Sequence, residues 1–203
     1  EAKKRNKKVI VFDDGLQDRN ISFDIKIVCF DSDNTIGNGL LIPAGPLRER
    51  INSLSNYDCV ILKGENKDTK KFIKKIRRIN KNLRIFTTYF KVKNLYKLNR
   101  LNKYIIFSGI GNPKNFKKTL LKNKIKVIHE FIFPDHHNYT SNEIKNIKQI
   151  ADKKNAKIIT TEKDFVKLSS IDQKKIDYLK VETKFQNEKK FINYLKSKMY
   201  EKY

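Results

Sequence analysis

What most constrains this chain is a succession of short apolar runs separated by basic stretches. Runs at 8–12, 25–30, 58–63, 83–90, 104–108, 125–133, 156–160 and 178–184 read as strands, with helix-period or polar–apolar segments between several of them. Near-continuous apolar character suits strands buried on both faces, so the alternation predicts α/β layers built on parallel strands. Segment 67–79, KDTKKFIKKIRRI, places Phe72, Ile73, Ile76 and Ile79 on one helical face and Lys and Arg on the rest. A membrane-surface helix has the same pattern, but a short helix between two strands reads better as the cover of a sheet. The stretch 91–103 is basic, lacks Gly and Pro, and marks a domain junction, beyond which 104–168 reads as a second small α/β unit. The expected division is 1–90, 91–176 and 177–203, the last being a linker strand with a terminal helix.

The chain has 203 residues and 38% hydrophobic content, enough for a real core. Its 46 Lys and Arg against 22 Asp and Glu give a net charge of +24, which favours anionic partners such as nucleic acid, phosphorylated metabolites or an anionic membrane face. Lysine is nevertheless spread through nearly every segment, and Asn and Ile are abundant too, as biased base composition produces. The aromatic residues mostly fall in apolar runs rather than interleaving with Lys, so a basic binding module for nucleic acid or anionic lipid rests on charge alone. No specific nucleic-acid partner is expected. Cys29 and Cys59 each lie inside an apolar run and are expected as buried free thiols, with neither a disulfide framework nor zinc spacing. No stretch approaches the roughly 20 apolar residues of a membrane span, and no signal-peptide pattern opens the sequence. Because Glu1 stands only a few polar residues before the first apolar run, the chain is expected to be a piece of a longer protein.

Residues 9–17, VIVFDDGLQ, run from apolar residues into two carboxylates and a glycine. This pattern reads as a buried parallel strand ending in a reactive loop, which delivers Asp13 and Asp14 to the carboxyl end of a sheet. One carboxylate can then face Mg²⁺ while the other turns to a second group, and Gly15 permits the turn. A solvated turn whose Asp residues end a strand fits this stretch equally well. In the loop PDHHNYT, Thr140 and Glu143 form a capping box that holds His136 and His137, and Asp135 can orient an imidazole. Taken alone, the loop fits a structural hydrogen-bonding histidine better than catalysis. In TTEKDFVK, Thr161 and Asp164 mark a helix start and Lys163 can meet a phosphate, a solvated lysine being the default. SGIGNP at 108–113 suits a tight turn and is a weak phosphate signal. GNGLLIPAGPLRER at 37–50 reads as a partly buried loop of specified conformation.

In this order, DDGLQ, GNGLLIPAGPLRER, SGIGNP, FPDHHNYT and TTEKD resemble the tetraacyldisaccharide 4′-kinase family, the lipid A 4′-kinases of Gram-negative bacteria. The resemblance covers about residues 9–166. It implies a P-loop-type three-layer α/β/α portion, a second small α/β/α domain and a two-stranded linker formed by 83–90 and 178–184. It further implies ATP and Mg²⁺ as cofactors and transfer of the γ-phosphate to the 4′-hydroxyl of a tetraacyldisaccharide 1-phosphate lipid. The place of work would be the cytoplasmic face of the bacterial inner membrane, as a peripheral protein on an anionic surface. On this comparison DDGLQ is the Walker-B-like strand end of residues 1–90, with Asp13 and Asp14 near metal and phosphates. Glu49 matches the acidic residue of the family's LRE motif beside the metal. Gln17, Arg48 and Lys163 would face substrate or phosphate, and His136 would assist the base that activates the sugar hydroxyl. Two departures stand out. Asp18 occupies the place where the family commonly has His, and the phosphate-cradling pattern G-x-x-x-x-G-K-[ST] does not occur in these residues. Because phosphoryl transfer depends on positioned charge, residues 1–203 alone are expected to lack measurable kinase activity.

Overall fold

The apolar run KYIIFS becomes β4, Lys103–Ser108, and every residue after Lys103 is buried. Alternate side chains of a strand point to opposite faces. Tyr104 and Ile106 therefore pack with Phe116 and Leu120 of one helix, whereas Ile105 and Phe107 pack with Ile144, Ile147 and Ala151 of another. Those helices are α2, Pro113–Lys122, and α3, Ser141–Lys153. Covering both faces is what allows the strand to be apolar throughout. The computed structural model describes residues 4–18, 20–64 and 69–200. It divides into one unit of Glu1–Tyr89 with Lys184–Tyr203 and a second of Phe90–Thr183.

The second unit carries a sheet of order β5-β4-β6-β7, where β5 is Lys126–Ile132, β6 Lys157–Thr161 and β7 Asp177–Leu179. All its pairings are parallel. The chain leaves β4 toward β5 on one side and leaves β6 toward β7 on the other, so the connections diverge beyond the carboxyl ends of β4 and β6. Such a switch point opens a crevice in α/β sheets.

The first unit's sheet has the order β1-β2-β3-β8, with β1 Ile27–Asp31, β2 Cys59–Lys63, β3 Arg84–Val92 and β8 Val181–Phe185. β1 with β2 and β2 with β3 are parallel. Val60 and Leu62 are fully buried against Phe72 and Ile76 of α1, Thr69–Ile79, the helix expected from the spacing of its apolar residues. The opposite face meets α5, Glu188–Tyr200: Phe86 packs edge-on against Phe191 at 5.1 Å, and the Tyr194 hydroxyl donates to the Asp58 carbonyl at 3.0 Å. Helices thus lie on both faces of both sheets.

Three expectations need correction. Residues 8–12 form no strand: Val9, Ile10 and Val11 are 56%, 58% and 87% exposed, and no ladder takes up their backbone groups. An apolar run becomes a strand only where a partner pairs with it; here the Phe12 ring meets the Phe23 ring at 5.5 Å, but the backbone joins no ladder. The run 178–184 is two strands, β7 and β8, in different sheets. Cys59 is a buried free thiol as expected, but Cys29 is exposed. It lies on the sheet's edge strand, with Val28 and Phe30 turned to the α1 side and itself to the other.

Candidate functional site

In the first unit the segment 12–17, strand β1 and residues 46–51, 53, 54 and 57 line a cavity of about 710 Å³. The DDGLQ turn is built differently from expectation. Its left-handed residue is Asp14, with φ of 57°, and Asp is one of the few residues that accept this region. Gly15 lies in a crowded spot, where a Cβ would stand 3.0 Å from the Phe12 Cβ. The Asp18 amide donates to the Gly15 carbonyl at 3.1 Å and its carboxylate accepts the Asn20 amide at 2.9 Å, so Asp18 closes the turn.

The loop before Arg48 is equally specified. Gly45 has no room for a Cβ beside the Asn38 side chain and the Leu40 carbonyl, and the amides of Ile42 and Leu47 bond the Leu47 and Leu40 carbonyls at 2.9 and 3.2 Å. Leu47 is buried at the cavity wall, and Arg48 and Glu49 after it line the same cavity. Arg48 Nη1 reaches Asp14 Oδ1 at 2.7 Å and Gln17 Oε1 at 3.4 Å. Gln17 Nε2 meets Glu49 Oε1 at 3.5 Å, and the Tyr57 hydroxyl donates to Glu49 Oε2 at 3.0 Å. Asp14, Gln17, Arg48 and Glu49 therefore form one chain of contacts, and Asp13 lines the same cavity. Tyr57 was not singled out from the sequence, where an aromatic residue after a serine-rich turn carries no signal. Burial first, then the hydrogen bond and charge of Glu49, push its hydroxyl up to about 12, so it stays a donor. No cluster of three His, Cys, Asp or Glu side chains suited to a metal occurs among the described residues. The donors present are hard carboxylate oxygens, and Mg²⁺ commonly takes only one or two of these with water and phosphate completing its shell.

In the second unit three of the sequence motifs meet beyond the strand ends. SGIGNP follows β4, FPDHHNYT follows β5 and TTEKD follows β6. The capping box expected at Thr140 and Glu143 is present, and Thr161 caps α4, Glu162–Phe165, by accepting the Asp164 amide. The two histidines separate. His137 stacks on Phe133 at 4.8 Å, and its Nε2 lies 3.1 Å from both Glu143 oxygens. The Thr140 amide, then the His137 bond, hold the Glu143 carboxyl below its usual range. His136 is exposed with φ of 60°, and its amide donates to the Gly109 carbonyl at 3.2 Å and to Asp135 at 3.0 Å. Asp135 thus binds backbone, and the carboxylate that holds an imidazole is Glu143. The reason is reach: the capping box points Glu143 back over the loop, whereas Asp135 is nearest its own following amide. Lys163 is exposed on α4. Asp164 is fully buried, an environment its helix-start spacing did not announce.

A model of the family described as tetraacyldisaccharide-1-P 4′-kinase matches residues 1–200. The chain belongs to this family. A tetraacyldisaccharide 4′-kinase of Pelagibacter ubique is 41% identical over 195 residues, covering 96% of this chain and 62% of the relative. One of Rickettsia canadensis is 37% identical over 171 residues, covering 80% of the chain and 49% of the relative. The chain therefore spans about half to three-fifths of the length of these 4′-kinase relatives. The crystal structure of the "apo" form of LpxK from Aquifex aeolicus in complex with ATP has a TM-score of 0.60 over 92% of this chain and 56% of that one. At 22% identity the likeness is one of fold, an α/β fold of parallel sheets.

Proposed function

We propose that this chain supplies the metal-side carboxylates and the histidine loop of an ATP-dependent kinase that phosphorylates the 4′-hydroxyl of a tetraacyldisaccharide 1-phosphate in lipid A biosynthesis. The observation that carries this reading is the contact chain Asp14–Arg48–Gln17–Glu49, which joins two distant motifs in one cavity. The names of the 4′-kinase relatives and the ATP in the LpxK structure support the substrate pair. Residues 1–90 form the Walker-B-like side on this reading. Asp14 and Glu49 would hold Mg²⁺, with Asp13 beside them. Bound there, Mg²⁺ would neutralise phosphate charge as it develops in the transition state.

The chain's own residues do the rest. Arg48 presents a planar guanidinium that matches phosphate oxygens, and its exposed pairing with Asp14 is weak enough to exchange for them. Gln17 orients Arg48 and Glu49 together, and Lys163 offers a further cation to an anionic group. His136 assists removal of the proton from the sugar hydroxyl, a task suited to imidazole near neutral pH.

A chimera tests the reading: the Pelagibacter ubique kinase with its matched 195 residues replaced by this chain. It should phosphorylate the disaccharide with ATP and Mg²⁺, and a folded chimera without activity would overturn the assignment. We further propose peripheral attachment to the cytoplasmic face of the inner membrane. No helix among the described residues is long and apolar enough to cross a membrane, and the net charge is +24. The chain should bind anionic vesicles and release them as salt rises, since basic residues near such a surface contribute about 1 kcal/mol each and are screened. Equal binding to neutral vesicles at high salt would contradict an electrostatic attachment.

A further inference from the structure

The crevice between the carboxyl ends of β4 and β6 is the place where an α/β unit ordinarily takes an anionic ligand on a free amide. Here the chain fills that place itself. Asp164, fully buried, accepts the Gly109 amide with Oδ2 at 3.1 Å and the Thr161 hydroxyl at 2.7 Å. Its other oxygen meets Lys167 Nζ at 3.2 Å.

Both partners continue to the histidine loop. The Gly109 carbonyl accepts the His136 amide at 3.2 Å, and Lys167 Nζ also donates to the His137 carbonyl at 3.2 Å. The backbone is thus gripped on both sides of His136. Gly109 lies so close to the loop that a Cβ there would stand 3.0 Å from the Pro134 carbonyl and 3.1 Å from the His137 Cβ. His136 itself has φ of 60°, a conformation a non-glycine residue keeps only where its surroundings over-determine it. Its side chain is exposed, so the loop's geometry comes from these backbone contacts rather than from packing of the imidazole.

We infer that Asp164 is a positioning residue: through Gly109 and Lys167 it fixes the strained backbone that presents His136, in the crevice position a ligand anion would otherwise take. This deepens the role given to His136 above and rests on it.

The test begins with Asp164→Asn in the 203-residue chain, followed by amide hydrogen exchange. Exchange at His136 and Gly109 should accelerate by about tenfold or more relative to Ile106 and Ile159 in the sheet, as expected when a local hold is lost without global opening. In the kinase chimera the same change should lower kcat on the order of tenfold to a hundredfold, as misplacing a reacting group does, with KM for ATP within about twofold. Lys167→Met should shift both readouts in the same direction by less, and it serves as the test if Asp164→Asn does not fold. Unaltered exchange at His136, or uniform acceleration across the unit, overturns the proposal. So does unchanged kcat in a folded Asp164 variant when His136→Gln is impaired. If His136→Gln leaves kcat unchanged, the role of His136 falls and with it the functional part of this inference; the exchange data then show separately whether Asp164 holds the loop.

Discussion

Asp14 and Asp164 both follow apolar runs by a few residues, yet the two regions use their carboxylates in opposite ways. Asp14 is 63% exposed as a side chain and meets an Arg48 that is 52% exposed. Asp164 is fully buried and occupied by an amide, a hydroxyl and an ammonium group. Exposed ion pairs contribute about 0–1 kcal/mol because water competes for both partners. A buried carboxylate cannot surrender its donors so cheaply, because desolvation leaves it nothing in exchange. The first arrangement leaves charge available to incoming cation and phosphate, and the second converts charge into fixed backbone geometry. A carboxylate near a strand end therefore says little about its task until its burial is known.

Substitutions can separate these two uses. The largest effect should come from Asp14→Ala in the kinase chimera, which should lower turnover by at least about a hundredfold, the scale on which one preorganised charge-stabilising group acts. Near wild-type turnover at saturating Mg²⁺ would remove Asp14 from the site. Stability should show the reverse order. Asp164→Ala is expected to cost about 1–3 kcal/mol in denaturant unfolding through its stranded donors. Asp14→Asn, which keeps a side chain that tolerates the left-handed φ at this position, should stay within about 0.5 kcal/mol, as exposed substitutions do. Equal losses would mean that burial does not separate the two carboxylates.

Tyr57→Phe should have a smaller effect, since it keeps the ring and removes only the bond to Glu49. A loss of about 0.5–1.5 kcal/mol in transition-state stabilisation, read from kcat/KM, is expected with little change in melting temperature. A drop in melting temperature without a kinetic change would make Tyr57 purely structural. The smallest effect concerns acid. Glu143 has a folded-state pKa below its ordinary value of 4.5, so its contribution is present above that pH and is lost as pH falls through the lowered value. Glu143→Gln should flatten this part of the stability–pH curve, and an unchanged acid limb would mean that its bonds to Thr140 and His137 do not distinguish folded from unfolded chain.

Much of the fold was legible because its causes are local or periodic. KYIIFS is apolar on both faces and became the covered strand β4. Phe72 and Ile76 stand one helical turn apart and are the buried residues of α1's apolar stripe. Thr140 with Glu143, and Thr161 with Asp164, cap helices across three residues. Of the candidate site, Asp13, Asp14, Gln17, Arg48 and Glu49 were named from motifs, and they line one cavity. Tyr57 went unnamed, and Asp164 was legible only as part of a helix start, because neither partner nor burial is written in a residue's neighbours.

The sequence by itself thus determined the alternation of elements, the helix caps and the kinds of chemical groups placed after each strand. Those depend on side-chain type and spacing within a few residues. Only the tertiary structure decided that residues 8–12 remain unpaired, that Cys29 faces outward, that Asp14 rather than Gly15 turns left-handed and that Glu143 rather than Asp135 holds an imidazole. It also decided which carboxylate is buried. Arg48 meets Asp14 across 34 positions and Gly109 meets Asp164 across 55. Pairing partners and exclusion of water at such separations exist only once the sheets have assembled.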